Sequence, residues 1–170
     1  MSKTSLKKEL LRLDHDQMVQ LMLEAYETNA AIKEYLEFFL NPDVEALLEK
    51  HQKAIMKELN RSRWGYSKAR VSLIKKAVKH FMGFNPGVEA VLDMLFLTLS
   101  SVGMAERYLN FKETQMNYVS FLTRQILQTA ESNACFAPVM SRLEAELEKT
   151  NYTRYFKQYV SEGIAGFTKN

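Results

Sequence analysis

The sequence predicts an all-α protein: a single multi-helix bundle or a short stacked array of α–α pairs, with about seven to nine helices. Apolar residues recur at helical spacing along nearly the whole chain, and strand-like alternation is almost absent. Six Gly and three Pro in 170 residues leave few places for breaks, so the elements should be long. The hydrophobic share of 46% is enough for a sizeable core and excludes an intrinsically disordered chain. The length fits one domain spanning residues 1–170, with 1–41 as a candidate sub-unit ahead of Asn41-Pro42.

The first helix is predicted over Thr4 to Leu13, with Leu6, Leu10 and Leu13 on one face. Asp14 and Gln17 have capping-box spacing and open the second. Its apolar stripe is Met18, Leu21, Met22 and Ala25. Asn29 opens a third helix with Ile32, Tyr35, Leu36 and Phe39 inward. After Asn41-Pro42, with Pro42 suited to a first turn, Val44, Leu47, Leu48, Ile55 and Leu59 continue at helical spacing. Arg61 to Tyr66 read as a connection around Gly65. Ser67 is the expected cap of a helix to Met82, with Val71, Ile74, Val78 and Phe81 inward and Gly83 ending it.

The helix that starts at Pro86 is apolar on nearly all sides. Glu89, Asp93 and Ser100 form its narrow polar stripe. Such a helix belongs at the centre of a bundle. Gly103 allows it to bend or a neighbour to approach closely. A long helix over Lys112 to Ser132 uses Met116, Val119, Leu122, Ile126 and Ala130. Pro138 sits in the first turn of a helix to Lys149. Asn151 is the expected cap of the last, whose stripe is Tyr152, Tyr155, Phe156, Tyr159 and Val160, with Gly163 and Gly166 loosening the tail.

Several function classes find little support. The lone Cys135 has no intramolecular disulfide partner, which fits a reducing compartment. No signal-peptide pattern opens the chain, so a cytoplasmic location is expected. The longest uncharged run, Met94 to Ala105, is shorter than the roughly 20 residues of a membrane span, so no membrane partner is expected. His15, His51 and His80 lack the spacing of a helical zinc site, and no metal or cofactor is implied. His51 falls on the apolar stripe of its helix and reads as a hydrogen-bonded core histidine. No nucleophile elbow, P-loop or dinucleotide fingerprint occurs. The best enzyme-like feature is the Glu89–Asp93 pair. Two carboxylates buried side by side would have raised, coupled pKa values. The plainer reading is a stripe that faces solvent or pairs with Lys or Arg.

The informative signal is charge segregation. Between Lys50 and His80 stand ten Lys or Arg and one acid, Glu58, a formal charge of +9. The rest of the chain holds thirteen Lys or Arg against nineteen Asp or Glu, or −6, so the total of +3 hides a basic middle within an acidic frame. Helical projection at about 100° per residue puts Lys68, Lys75 and Lys79 in one sector, with Lys76 beside them. Lys50, Lys53 and Lys57 share the outer face of the preceding helix. The connection adds Arg61, Arg63, Trp64 and Tyr66.

Arg61, Arg63, Trp64, Lys68, Lys75, Lys76 and Lys79 are therefore the candidate anion- or partner-binding residues. Three readings fit them. One is a solvated basic face with a partly buried Trp. Another is a single-stranded or non-specific nucleic-acid site, where cations neutralise phosphates and rings stack on bases. The third is a docking face for an acidic protein. The leading functional reading is a non-enzymatic binding or scaffold module with a basic face. Nucleic-acid binding is the alternative, and an enzyme with a buried carboxylate site is third.

The segments Ser2 to Leu10 through Leu13-Asp14, Ile32-Lys33-Glu34-Tyr35-Leu36-Glu37-Phe38-Phe39-Leu40-Asn41-Pro42 and Gly87 to Leu97 resemble a bacterial family of small helical proteins of unknown function, the 6155 family. The resemblance is strongest over the first quarter of the chain. It implies an all-helical, cytoplasmic, bacterial protein, and it carries no catalytic or binding residues across.

Overall fold

The computed structural model describes residues 1–168. Among them are nine helices and one two-stranded hairpin, so the fold is all-α. The chain divides into two compact units, one of Met1–Asp43 and one that starts at Val44.

The first unit holds α1 (Lys3–Leu10), α2 (His15–Thr28) and α3 (Ala30–Leu40). Each start is set by a polar side chain. The Ser2 hydroxyl accepts from the Ser5 N–H at 3.1 Å. Asp14 and Gln17 form the reciprocal capping box, at 2.8 and 3.1 Å. Asn29 Oδ1 accepts from Ala31 and Ile32 at 3.0 and 3.3 Å. α1 ends short of Leu13 because Arg12 and Leu13 bond back only three residues, tightening the chain into the extended Asp14 cap. None of the three helices contains a buried residue. Tyr35 and Phe39, expected inward, are 42% and 68% exposed and stack on each other. A unit of this length has too little chain to enclose a core.

The second unit holds α4 (Val44–Leu59), β1 (Ser62–Arg63), β2 (Tyr66–Ser67), α5 (Val71–Gly83), α6 (Val88–Tyr108), α7 (Glu113–Ser132), α8 (Phe136–Glu148) and α9 (Arg154–Phe167). Pro42 stands before α4 rather than in its first turn. α6 begins at Val88, two residues past Pro86, behind Gly87 with φ +101°. It packs against α4, α5 and α7, and Met94, Leu95, Leu99 and Val102 are inaccessible or nearly so. By length and composition α6 also passes for a membrane span, a test that buried core helices pass equally. The predicted α7 stripe, Met116, Val119, Leu122, Ile126 and Ala130, is fully buried.

Two glycines mark close helix contacts. A Cβ on Gly103 would come within 2.9 Å of the Tyr152 and Phe156 rings. One on Gly163 would meet Thr123 Cβ at 2.6 Å and the Ser120 carbonyl at 2.9 Å. Gly163 therefore seats α9 on α7 and does not loosen the tail. α9 is capped by Thr153, whose hydroxyl accepts from the Phe156 N–H at 3.0 Å, and not by Asn151. The Asn151 carbonyl is held by Arg107, and its amide nitrogen lies against the Met104 sulfur. Tyr155 is 40% exposed, so it leaves the buried stripe of Tyr152, Phe156, Tyr159 and Val160.

Candidate functional site

The connection from Arg61 to Tyr66 is a β-hairpin. Ser62 pairs with Ser67 and Arg63 with Tyr66, leaving a two-residue turn of Trp64 and Gly65. Both turn residues have positive φ, 52° and 77°, the requirement of a type I′ turn. Gly65 meets that requirement without cost. Trp64 does not: a bulky residue there is an outlier, and Asn is the usual occupant. Directly opposed residues share one face of a hairpin. Arg63 and Tyr66 are both exposed, whereas Ser67, paired across the ladder with Ser62, is buried. The Trp64 ring is 85% exposed and the Arg63 guanidinium lies 4.7 Å from its centroid.

The hairpin is anchored at both ends. Asn110, between α6 and α7, donates to the Gly65 carbonyl at 2.8 Å and accepts from the Ser67 N–H at 3.0 Å. The buried Gln115, in the first turn of α7, donates to Ser67 Oγ at 3.2 Å and to the Ala69 carbonyl at 2.8 Å. Its carbonyl accepts from the Lys112 N–H at 2.9 Å. Ser67 is thus committed to this junction and does not cap α5.

Glu58 replaces that cap. Its buried carboxylate accepts from the Arg70 backbone N–H at 2.9 Å, just ahead of α5. It also accepts from Arg70 Nε and Nη2 at 3.0 and 3.2 Å, and from Arg61 Nη1 at 2.8 Å. A carboxylate at a helix N-terminus is favourable in itself. The Arg70 side-chain hydrogen bonds, against the opposing effect of burial, hold the Glu58 carboxyl down at about 2.

The seven predicted residues fall into two groups. Arg61, Arg63 and Trp64 belong to the hairpin and its root. Lys75, Lys76 and Lys79 are exposed on α5, opposite the buried Ile74, Val78 and Phe81. Lys68 is not on the helix with them. It lies between β2 and α5, because the helix starts only at Val71, and its N–H donates to the Arg61 carbonyl at 2.7 Å. Arg61 is half committed to Glu58. Lys75 reaches toward α7, with Nζ 4.4 Å from the Phe121 centroid and 5.4 Å from that of Tyr118. Among the described residues, Arg63, Lys68, Lys75, Lys76 and Lys79 form no ion pair with a carboxylate.

The other sequence candidates resolve differently. Glu89 is exposed and Asp93 accepts from Arg142 Nη1 at 2.8 Å, so the buried carboxylate pair does not form. His51 is buried, with Nδ1 2.8 Å from the Leu47 carbonyl. Its Nε2 lies 3.0 Å from His80 Nδ1, a pairing across 29 residues that helical spacing cannot reveal. No cluster of three or more His, Cys, Asp or Glu suited to a metal occurs among the described residues. Within the first unit, Met18, Val19, Met22, Leu23, Leu36 and Leu40 line an open apolar cleft of about 620 Å³ between α2 and α3.

Sequence reasoning missed Asn110, Gln115 and the exposed Tyr108, which is 72% accessible two residues before Asn110. A polar residue at the start of a helix carries no signal of the distant strand that it will hold.

The chain belongs to DUF6155, a family of unknown function, which matches residues 1–166. No curated protein and no solved structure matches it.

Proposed function

We propose that this protein is a non-enzymatic binding module that docks a polyanionic partner through the hairpin and the exposed lysines of α5. The observation that carries the reading is the Trp64–Arg63 pair, a large ring and a cation presented together at the tip of an anchored turn. Neither burial nor turn preference accounts for a Trp there. Arg63, Lys68, Lys75, Lys76 and Lys79, which form no ion pair with a carboxylate, supply positive charge within the same stretch of the chain. A geometric link supports their joint action. Gln115 grips the hairpin root and Phe121 lies under Lys75, and these two residues are about 9 Å apart along α7 at the helical rise.

Such a face gives affinity that falls with ionic strength, because bound phosphate or sulfate groups release counterions. Heparin, a flexible polyanion, is the simplest probe. Binding should be readily measured at about 50 mM salt and fall steeply as salt is raised. The double variant Lys75→Glu/Lys79→Glu should weaken it while leaving the melting temperature near the parent value, since exposed charges contribute little to stability. Heparin binding that ignores both salt and the double variant would sink the reading.

A further inference from the structure

We infer that the polyanion is a single-stranded nucleic acid, with an unpaired base stacked on Trp64. The inference rests on the basic-face reading and sharpens it. Four observations lead to bases rather than to carboxylates or sulfates alone.

The first is strain. Trp64 holds φ 52°, where a bulky side chain is disfavoured, and with 85% of its surface accessible it gains almost no burial in return. A strained, exposed ring at the tip of a turn is better explained by what it meets than by the fold. The second is rigidity. The Asn110 N–H fixes the Gly65 carbonyl at 2.8 Å and Gln115 fixes the strand root. The platform is therefore ordered before any ligand arrives, which reduces the entropy lost on binding. The third is the company of the ring. Tyr66, 58% exposed, and Tyr108, 72% exposed, flank the same junction through the Tyr66–Asn110 bridge. Arg63 lies over Trp64, and the Arg107 guanidinium is 6.0 Å from the Tyr108 centroid. Alternating rings and cations match a strand whose bases stack and whose phosphates pair. The fourth is the shortness of the hairpin that carries the ring. The hairpin offers only two residues per strand, too short a ribbon to enter a major groove. Unpaired bases, splayed from the backbone, are the form that a single protruding ring can reach.

An acidic protein would use the cations but has no need of a ring held in the left-handed region. A duplex would engage the lysines through phosphates but keeps its bases stacked on one another.

The test uses the whole protein and its single tryptophan as the reporter. Trp64 fluorescence and the anisotropy of labelled oligothymidylate are followed together at about 50 mM salt. Duplex DNA, heparin and polyglutamate serve as comparison polyanions. The decisive variant is Trp64→Asn, which gives the turn the residue that it prefers. Oligothymidylate should quench Trp64 and bind more tightly than the duplex. Trp64→Asn should lose about 5- to 150-fold in affinity for it, the equivalent of one stacked base. The same variant should melt at or above the parent temperature, which separates lost binding from lost folding. Heparin affinity should be nearly unchanged by it. Oligothymidylate binding that is salt-dependent but indifferent to Trp64→Asn would overturn this inference and leave the basic-face reading intact. Tighter binding of polyglutamate than of oligothymidylate would overturn it in favour of an acidic protein. Failure of every polyanion to bind would remove both.

Discussion

Glu58 is the one acid among ten cations between Lys50 and His80, and its carboxylate joins the end of α4, the hairpin root and the start of α5. Its place in the charge pattern was legible from sequence. Its role was not, because the partner Arg70 stands twelve residues away and helical projection sees only near neighbours. The pH consequence follows from the sign of its shift. The carboxyl is depressed from 4.5 to about 2, chiefly by the Arg70 hydrogen bonds, with the Arg61 charge adding to them. A depressed carboxyl contributes stability that is fully present above the unfolded value of 4.5 and lost as pH falls toward about 2. Both guanidinium groups are about half exposed, at 44% and 58%, so solvent screens part of the interaction. Glu58→Gln should therefore cost about 1–3 kcal/mol at neutral pH. It should also flatten the acid limb of the stability profile between pH 4.5 and 2. Urea melts of both proteins across that range check this, and a variant that keeps the parent's acid limb would assign the acid sensitivity to other carboxylates. Gln115 is the neutral counterpart. Gln115→Leu removes the donor to the Ala69 carbonyl and the acceptor of the Lys112 N–H. It should cost about 1–3 kcal/mol and speed amide exchange at Gly65 to Ser67, as read by NMR.

At the scale of elements, the sequence was most informative where a stripe faces a core. The α7 stripe and the all-round apolar α6 were legible because helical periodicity is written in the residues themselves. Leu95, inaccessible at the centre of α6, should on replacement by Ala lose about 2–5 kcal/mol in a urea melt. Element ends were less legible. Ser67, Asn151 and Pro42 all looked like start signals, yet tertiary partners diverted the first two and Pro42 fell ahead of its helix. In the sequence the hairpin looks like a loop, because two residues per strand are too few to show alternation. Glycine gave the sharpest reversal. Gly163 and Gly166 lie in the same helix and looked alike in sequence. A Cβ at Gly163 would stand 2.6 Å from Thr123 Cβ, whereas at Gly166 the nearest atom, on the Arg124 side chain, is 3.6 Å away. Gly163→Ala must push α9 off α7 and should destabilise by about 1–3 kcal/mol. Gly166→Ala gains helix propensity in ordinary contact and should be neutral or stabilise by up to about 1 kcal/mol. Melts of the two variants should therefore differ in sign. A matched loss in both would mean that helix α9 is sensitive to any added methyl group, and that the close approach at Gly163 is not special.

Across the whole molecule, charge and core are unequally shared. Residues 1–43 carry five Lys or Arg against eight Asp or Glu, and the remainder carries eighteen against twelve, so the first unit is net acidic and the basic middle lies wholly in the second, which also carries half of the acidic frame's excess. That asymmetry was legible, as was the Asn41-Pro42 interruption beside the boundary. The energetic asymmetry was not. Periodicity gave α2 and α3 apolar stripes of the same quality as those of α5 and α7, because a stripe records which face prefers burial and not whether anything covers it. In the structure α1, α2 and α3 contain no buried residue, while α6 and α7 are lined with fully buried ones. Backbone hydrogen bonds open locally with free energies that track such buried contacts, from near zero up to the global stability. The expected outcome of native-state amide exchange on the full chain is a two-tier pattern. Amides of α6 and α7 should exchange only through global unfolding and respond to Leu95→Ala by its full loss. Amides of α1 to α3 should exchange by local opening, at free energies several kcal/mol lower, and remain indifferent to Leu95→Ala. Slow exchange in α2 and α3 that shifts together with α6 would show that the apolar cleft between them is closed in solution, by a second copy or another occupant. Exchange that changes with protein concentration would then identify the second copy, since self-association stabilises by mass action.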